Sequence, residues 1–365
     1  MFAYLGNSNQ IEYTDCVTVD GRIVYPQVLP LSKNGKALTT IGIPLKELIE
    51  SSRTVTAEEL HDLIKTHLKK YIDAPEQDIE LFTLYISYTW FYPKLNTAPY
   101  LRFIGDTGKG KTRMLRVISD LCFYPITAGG DSTSSGIMRL NEQWHGTLRI
   151  DESDIKDGLE NEFIKYLNLG FEKRNYFIKT NAANFEKQDV FDPVGPKVIA
   201  MRKPFRDNAT EGRLLSFSPR ETARKDIPII LPTTYDAEVE RIRALIAKFV
   251  ICNWSAVEEG KTLEFNDIDL EPRLKQLAMP VSVVLQLMPD DEDRFRNYMI
   301  RRQEEVTKTR SDSWEGMLFN YVYSLAIGDE EPVEGFEGYF VEGKVVAIYP
   351  FSGGKKIRYK HKKCV

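Results

Sequence analysis

Cysteine and histidine are scarce in this chain, with four of each among 365 residues. The cysteines stand at Cys16, Cys122, Cys252 and Cys364. They are far apart and form no CxxC pair, which argues against a local zinc site and against a secreted disulfide scaffold, and suggests a reducing, cytoplasmic setting. His61 and His67 lie six residues apart, the wrong spacing for one helix face, so we expect both side chains to be solvated.

The chain also lacks an excess of positive charge, a long apolar run and any internal repeat. Its net charge is −4 and its pI about 5.8, so a nucleic-acid contact must be local, such as a pore or a tail, rather than a broad basic surface. The most apolar stretch, 81–92, has about 12 residues, whereas a membrane span needs about 20. We therefore expect a buried helix there and no membrane partner.

Several local patterns follow one another along the sequence. The length of the chain predicts two or three units sharing one large core. Asp20-Gly21 predicts a hairpin turn, and Thr56 with Glu59 has the spacing of a capping box before a helix. The expected segments are a β-rich N-terminal module at 1–45, a helical segment at 46–98, an α/β core at 99–220 with a β-hairpin insert at 174–191, a helical lid at 221–330 and a β-like basic segment at 331–365.

Strand and helix patterns alternate across 99–217, which indicates a parallel sheet flanked by helices. The expected strands are 100–104, 124–128, 147–151, 197–201 and 213–217, and the expected helices are 111–122, 133–144 and 157–169. A hairpin is expected between the last helix and the fourth strand, with arms at 176–180 and 185–191 and its tip at 181–184.

A glycine-rich segment directly follows the first of these strands and matches the pattern GxxxxGK[ST]. Its residues are Gly105, Asp106, Thr107, Gly108, Lys109, Gly110, Lys111 and Thr112. Glycines allow backbone N–H groups to curl around phosphates, and the start of the next helix favours an anion. Lys111 is expected to reach the β- and γ-phosphates of ATP, and Thr112 to ligate Mg²⁺.

An acidic pair, Asp151-Glu152, ends the strand at 147–151, about 40 residues after Lys111. Asp151 is expected to hold Mg²⁺ through its hydration shell, and Glu152 to polarise the attacking water. The glutamate favours water over a hydroxyl substrate as the nucleophile. The two motifs together therefore predict a P-loop ATPase rather than a small-molecule kinase.

Three stretches give the chain a family resemblance, at 99–113 (PYLRFIGDTGKGKTR), 146–152 (GTLRIDE) and 195–202 (GPKVIAMR). They resemble P-loop ATPases encoded by phages, plasmids and integrated elements, commonly described as replicative helicases or primase-helicases. That group is similar to the AAA+ branch containing minichromosome-maintenance-type helicases. The resemblance covers roughly 60–290 and is good across 99–217. It implies a P-loop NTPase fold of the AAA+/ASCE-like type, ATP and Mg²⁺ as cofactors, and a homo-oligomeric ring, a hexamer, acting on single-stranded or forked DNA.

The resemblance also implies roles for three arginines. Arg202 takes the place of a polar sensor at the end of the fourth core strand, where Asn or Thr is more usual, and the alternative is a solvated basic residue. Arg213 takes the place of an arginine finger that reaches a neighbouring subunit, and the alternative is an ion pair with Glu211 or a nearby acid. Gly212 precedes it where the family usually has Ser. Arg273 resembles the second sensor arginine, and the alternative is a simple surface arginine.

The hairpin stands where ring helicases place a pore hairpin, which implies contacts between its basic residues and nucleic-acid phosphates. Those residues are Lys173, Arg174, Lys179 and Lys187. Aromatic residues are interleaved with them and more often pack against the body of a protein, so a plain surface hairpin is the alternative. The basic run at 355–363 is open to two interpretations, a DNA contact or a solvated chain end.

Three functions remain open at this point. The first is a ring-forming, ATP-driven DNA helicase or translocase for replication of a mobile element. The second is a AAA+ ATPase that remodels protein partners, for example in a defence system. The third is a nucleotide-gated replication initiator that hydrolyses ATP slowly. Lysines on a pore hairpin favour DNA, whereas apolar pore residues favour protein threading, and this hairpin has both.

Overall fold

The computed structural model describes residues 2–26, 46–106, 108–128, 133–151, 160–180, 186–311, 316–318, 336–341 and 344–350. Residues 1–300 form one compact unit and residues 301–365 a second. Thr107, Glu152, the hairpin tip at 181–184 and the basic run at 355–363 lie outside the described residues, so what the sequence predicts for them stays a prediction. In the described part of the chain, no helix is both long enough and apolar enough to cross a membrane.

Two short antiparallel hairpins open the chain. Strand β1 (Phe2–Leu5) pairs with β2 (Ile11–Thr14), and β3 (Val17–Val19) pairs with β4 (Arg22–Val24). Asp20 and Gly21 join the second pair with φ angles of 49° and 74°. Two consecutive positive φ angles are the geometry of a type I′ turn, whose twist matches the strands it joins. The predicted hairpin turn is therefore confirmed.

Among the described residues, three α-helices precede the sheet: α1 (Lys46–Ser51), α2 (Ala57–Tyr71) and α3 (Glu76–Phe91). The capping box at the start of α2 is confirmed, because the Glu59 amide donates to Thr56 Oγ1 at 3.2 Å and the Thr56 amide donates to Glu59 Oε2 at 3.0 Å. Helix α3 is buried along nearly its whole length. It is thus a core helix, as its apolar sequence predicts.

The expectation that His61 and His67 are solvated is wrong, because both side chains are buried on α2. Each ring contacts an acid from a different part of the chain. His61 Nε2 lies 2.6 Å from Glu80 Oε1, and His67 Nδ1 lies 2.7 Å from Glu238 Oε1. Helix spacing could not reveal these partners, which pack against α2 from other elements.

In the part of the chain that the structure describes, the α/β core contains eleven elements. In chain order they are β5 (Tyr100–Ile104), α4 (Lys111–Ser119), β6 (Ile126–Ala128), α5 (Ser134–Trp144), β7 (Leu148–Asp151), α6 (Glu160–Leu169), β8 (Phe177–Thr180), β9 (Gln188–Phe191), β10 (Lys197–Met201), α7 (Asn208–Glu211) and β11 (Leu214–Phe217). Five strands form one sheet in the order β11-β5-β10-β7-β6, and every neighbouring pair is parallel. The predicted parallel α/β sheet is confirmed. Strand β6 is shorter than predicted, since Tyr124 has a φ of 39° and extended pairing starts at Ile126.

Helices cover both faces of this sheet. On one face, Tyr85 of α3 donates its hydroxyl to the Pro99 and Lys197 carbonyls, each at 3.0 Å, and the Phe82 ring contacts Phe103 of β5. On the other face, the Tyr100 hydroxyl donates to the Leu167 carbonyl of α6 at 2.8 Å. Side chains of a strand alternate between faces, so one strand serves both layers. Strands buried on both faces are typical of parallel sheets.

Helices follow the sheet, where the sequence predicts them: α8 (Tyr235–Asn253), α9 (Pro272–Val281) and α10 (Glu292–Ser311). Short 3-10 helices at Ser282–Leu287 and Pro289–Asp291 join α9 to α10. In the second unit, β12 (Phe336–Val341) and β13 (Lys344–Pro350) form an antiparallel pair. The predicted boundaries of the five segments stay predictions.

Candidate functional site

The glycine-rich segment occupies the carboxyl end of β5. The chain leaves β5 at Ile104 and enters α4 at Lys111. Gly108 and Gly110 have φ angles of 89° and 81°, in the left-handed region that favours glycine. Apart from the adjoining residues of the chain, a Cβ atom at either position would meet none of the described atoms within 4 Å. The loop thus needs glycine for its backbone conformation, and the space beside these two residues is open.

The start of α4 has properties that suit an anion. Its N-cap residue is Gly110, which has no side chain to accept hydrogen bonds from the amides of the first turn. The helix dipole adds a partial positive charge at the same end. Lys111 is the first helical residue, and its Nζ folds back to donate to the Asp106 carbonyl at 2.6 Å. Backbone donors and a lysine ammonium therefore surround one small region.

Asp151 also lies at the carboxyl ends of the strands, where the glycine-rich loop begins. It ends β7, which is separated from β5 by β10 alone. Thr112 Oγ1 donates to Asp151 Oδ2 at 3.0 Å. The structure thus brings together two predicted site residues that stand 39 positions apart in sequence. A hydroxyl and a carboxylate oxygen are ligands of the kind that Mg²⁺ prefers, so this donor pair fits the predicted ion.

The end of β10 also meets the loop. The Gly105 amide donates to the Met201 carbonyl at 3.2 Å, which fixes the beginning of the loop to the last residue of β10. Arg202, the predicted sensor, comes directly after Met201 and is exposed. It therefore lies at the loop edge of the sheet.

Arg213 lies at the amino ends of the strands, opposite the glycine-rich loop. Its carbonyl accepts a hydrogen bond from the Tyr100 amide at 3.1 Å, and the next residue, Leu214, pairs with Tyr100. Tyr100 begins β5 and Ile104 ends it, about 13 Å away along an extended strand. Arg213 is thus one strand length away from the glycine-rich loop of its own chain.

Arg273 lies beside Arg213, although 60 positions separate them in sequence. Its Nε is 3.4 Å from the place that a Cβ atom at Gly212 would occupy. Burial lowers the pKa of Arg213, and the nearby charge of Arg273 lowers it further. Arg213 donates to the Ala209 carbonyl and lies 5.6 Å above the Phe171 ring, and Arg273 Nη1 donates to Gln276 at 2.8 Å. Two of the predicted arginines therefore lie side by side, with the carboxylates of Asp207 and Glu172 near Arg213.

An ion pair that the sequence did not reveal stabilises the segment before Arg213. Arg102, buried in β5, donates to both oxygens of Glu211, with Nη2 2.7 Å from Oε2. The Phe205 amide also donates to Glu211, at 2.7 Å. Glu211 is thus committed to Arg102 rather than to Arg213. The one available signal was a charged residue inside an otherwise apolar strand.

Strands β8 and β9 form the predicted hairpin, and its lysine-bearing face is turned towards the body of the protein. Lys179 and Asp189 are cross-strand partners. Lys179 Nζ donates to Glu162 Oε1 at 2.6 Å and to Ser135 Oγ at 2.8 Å. Asp189 Oδ2 accepts from Arg139 at 3.2 Å. Lys179 is therefore neutralised within the molecule.

The outward face of the same hairpin carries an apolar patch beside the polar pair Thr180 and Gln188. Tyr176, Ile178 and Val190 are 55%, 58% and 53% exposed. Ile178 pairs directly with Val190 across the ladder, so their side chains are adjacent. Strand alternation places them on the face opposite Lys179.

The other basic residues of the hairpin divide into two kinds. Lys173 Nζ donates to the Pro93 carbonyl at 2.6 Å and is bound to the body of the protein. Arg174 and Lys187 are exposed, and within the described ranges their side chains make no hydrogen bond or ion pair. These two cations are the ones that an external anion can approach.

No family model and no curated protein matches the chain. Solved structures with some similarity include the A form of the apo NrS-1 C-terminal region, with 12% identity and a TM-score of 0.38 over 88% of this chain and 67% of that one. Another is SCCmec type IV Cch, described as an active helicase, with 11% identity and a TM-score of 0.42. That match covers 77% of this chain and 57% of Cch.

Proposed function

We propose that this chain is an ATP-hydrolysing motor that forms a ring and acts on DNA, as a helicase or translocase of a mobile element. The observation that carries the proposal is the contact between Thr112 and Asp151 beside a glycine-rich loop that opens a helix. A phosphate site and a Mg²⁺-type donor pair at one edge of a parallel sheet are the combination that a nucleoside triphosphate requires.

Each residue of the site has a defined task in this proposal. The loop amides and Lys111 hold the β- and γ-phosphates, and Thr112 and Asp151 hold Mg²⁺. The bound ion supplies positive charge that neutralises the phosphates. Glu152 follows Asp151 in sequence and polarises the attacking water. Arg202, at the same edge, is the candidate for sensing the γ-phosphate.

The position of the two paired arginines supports a ring, with a hexamer as the expected form. Arg213 and Arg273 lie across the sheet from their own loop, so a role for them in hydrolysis requires the loop of a neighbouring copy. Arginine supplied in this way neutralises charge that develops on the γ-phosphate. A closed ring of identical subunits gives every loop such a neighbour.

A protein-remodelling ATPase is the second candidate, and the hairpin favours it. Its outward face carries an exposed apolar patch, and Lys179 is paired with Glu162. Apolar residues that face a pore suit a polypeptide better than a phosphate backbone. Arg174 and Lys187 are the hairpin residues that support the DNA proposal, since both are exposed. A nucleotide-gated replication initiator remains the third candidate.

The deciding experiment is the ATPase rate of the full chain with and without single-stranded DNA, combined with native mass spectrometry. The proposal predicts Mg²⁺-dependent hydrolysis, stimulation by DNA and a ring mass. The Lys111→Ala protein serves as the inactive control. Hydrolysis without any DNA binding would overturn the DNA role and support the remodelling ATPase, and no hydrolysis at all would overturn the motor itself.

A further inference from the structure

Asp120 is a fully buried carboxylate at the C-terminal end of α4, the helix that the glycine-rich loop opens. Its two oxygens face different elements. Oδ1 accepts from Arg149 Nη1 of β7 at 2.8 Å, and Oδ2 accepts from the Tyr235 hydroxyl of α8 at 3.1 Å. Arg116 Nε also lies 3.5 Å from Oδ2. One carboxylate thus joins three elements.

The contact with Arg149 connects Asp120 to the phosphate site. Arg149 stands two residues before Asp151 on β7, so both side chains lie on the same face of the sheet. Helix α4 is therefore bonded to β7 at each end, through Thr112 and Asp151 at its start and through Asp120 and Arg149 at its end. These two bonds are about 12 Å apart along the helix. A shift of α4 against β7 changes both.

The contact with Tyr235 connects Asp120 to α8, the first helix after the sheet. Tyr235 is the first residue of that helix. Two turns further on, the buried Arg243 donates from Nη1 to the Asp120 carbonyl at 2.9 Å and to the Cys122 carbonyl at 3.2 Å. Arg116 reaches Asp236 at 3.5 Å. The end of α4 and the start of α8 are therefore held together by several charged groups.

We propose that Asp120 is a positioning residue that couples the phosphate site to helix α8. The inference rests on the proposed function, because the nucleotide would bind at the start of α4. A buried carboxylate must keep its partners, since an unpaired charge in the interior is costly. Because Asp120 stays bonded to Arg149 and to Tyr235, a movement of α4 is passed on to the start of α8. Asp120 links the state of the nucleotide to the segment after the sheet without touching the nucleotide.

The test compares three variants of the full chain. Asp120→Asn keeps the shape of the side chain but removes its charge. Tyr235→Phe removes only the hydroxyl bond to Asp120 and keeps the ring contact with Tyr71. Glu80→Gln is the matched control, because Glu80 is another buried carboxylate, bonded to His61 and Lys65 on α2 rather than to α4.

Four quantities are measured for each variant: the melting temperature, the Kd for a non-hydrolysable ATP analogue with Mg²⁺, kcat for ATP, and hydrogen exchange across 235–239 with and without the analogue. In the wild-type protein, the analogue should slow exchange in this first turn of α8. For Asp120→Asn and Tyr235→Phe we expect an unchanged Kd, a kcat lower by about 2- to 30-fold, and loss of the nucleotide-dependent protection. Glu80→Gln should lower the melting temperature and leave kcat and the protection unchanged.

The outcomes separate this proposal from the proposed function. If the wild-type protein binds no analogue, both are overturned. If it hydrolyses ATP but α8 shows no nucleotide-dependent protection, the coupling alone is overturned. The coupling is also overturned if Asp120→Asn and Tyr235→Phe behave like Glu80→Gln. Should Asp120→Asn fail to fold, Tyr235→Phe decides by itself, since it removes a single hydroxyl.

Discussion

Lys109 and Lys111 stand two positions apart in the glycine-rich loop and have different surroundings. Lys109 Nζ lies 3.6 Å from the exposed carboxylate of Asp106, whereas Lys111 Nζ donates to the Asp106 carbonyl at 2.6 Å from the first position of α4. An exposed ion pair contributes little. An ammonium at the helix start adds its charge to that of the helix end. Substituting each lysine separately therefore tests which ammonium group the phosphates need.

We predict that Lys111→Ala lowers ATP turnover by about 100-fold or more, because it removes the ammonium group that is expected to contact the β- and γ-phosphates. Lys109→Ala should stay within a few-fold of wild type. Steady-state hydrolysis and nucleotide binding of the two purified variants provide the measurement. Equal activity of Lys111→Ala and the wild-type protein would exclude the phosphate site.

The pKa of Glu80 predicts how the stability of the protein depends on pH. Burial alone would raise its pKa, but hydrogen bonds from His61 and Lys65 outweigh burial and lower the pKa to about 2 from an ordinary 4.5. A carboxylate with a depressed pKa stabilises the fold above its unfolded pKa and loses that contribution as the pH falls towards its folded pKa. Glu80 therefore contributes to stability fully above about pH 4.5 and loses its contribution between about pH 4.5 and 2.

We predict that Glu80→Gln lowers the free energy of unfolding near neutral pH by up to about 3 kcal/mol, and that the difference from wild type shrinks as the pH falls through this window. Urea unfolding at a series of pH values measures it. Glu50→Gln is the control, because the Glu50–Lys46 pair is exposed and should change the stability little. A difference that stayed constant with pH would show that the charge of Glu80 is not involved.

The two faces of the β8–β9 hairpin carry different kinds of side chain, because successive residues of a strand lie on opposite faces. Lys179 and Asp189 face the body and pair with Glu162 and Arg139, while Ile178 and its cross-strand partner face outwards. Arg174, at the base of the hairpin, has a φ of 71° and projects from a turn rather than from the ladder. The cations that an external phosphate can meet are therefore at the ends of the hairpin.

We predict that substituting both Arg174 and Lys187 with Ala weakens single-stranded DNA binding. The slope of log affinity against log salt should fall by roughly 0.7 for each phosphate that the variant no longer binds. Lys179→Ala, the matched control, should leave the slope unchanged and loosen the hairpin, because it breaks the bond to Glu162. Titrations at several salt concentrations give the slopes. An effect confined to Lys179→Ala would place the DNA contact on the other face.

In the folded chain, the length of the strands separates the glycine-rich loop from the two neighbouring arginines. The glycine-rich loop and Asp151 lie at its carboxyl edge, and Arg213 with Arg273 lies at its amino edge. Such an arrangement presents the proposed phosphate site at one end of the strands and two neighbouring guanidinium groups at the other. Repeating it around a ring would bring the two together at every subunit interface.

We predict that mixing Arg213→Ala subunits with Lys111→Ala subunits restores ATPase activity, although each protein alone is inactive. In the mixed ring, the intact loop of one subunit meets the intact arginine of the next, and such an arginine is worth about 10³–10⁵ in rate. The control mixes Arg213→Ala with a Lys111→Ala/Arg213→Ala double variant, which offers no complete interface. Absence of recovery in verified mixed oligomers would make Arg213 a structural residue.

Features that depend only on neighbouring residues could be predicted from the sequence. The turn at Asp20-Gly21, the capping box at Thr56 and the glycine-rich loop are local, because the backbone conformations they need restrict which residues fit. The five parallel strands were also predictable, since strands buried on both faces are largely apolar. The sequence also predicts that Thr112 and Asp151 lie close together, because both are expected to hold the same Mg²⁺.

Contacts between side chains that are distant in sequence depend on the folded structure. It buried His67 against Glu238, paired Arg102 with Glu211, placed Arg273 beside Arg213, and joined Asp120 to both β7 and α8. These partners are separated by tens of residues or more, and their pairing depends on how helices pack on the sheet rather than on any local pattern. The orientation of Lys179 is decided in the same way, because alternation defines two faces of a strand but only packing chooses which one is buried.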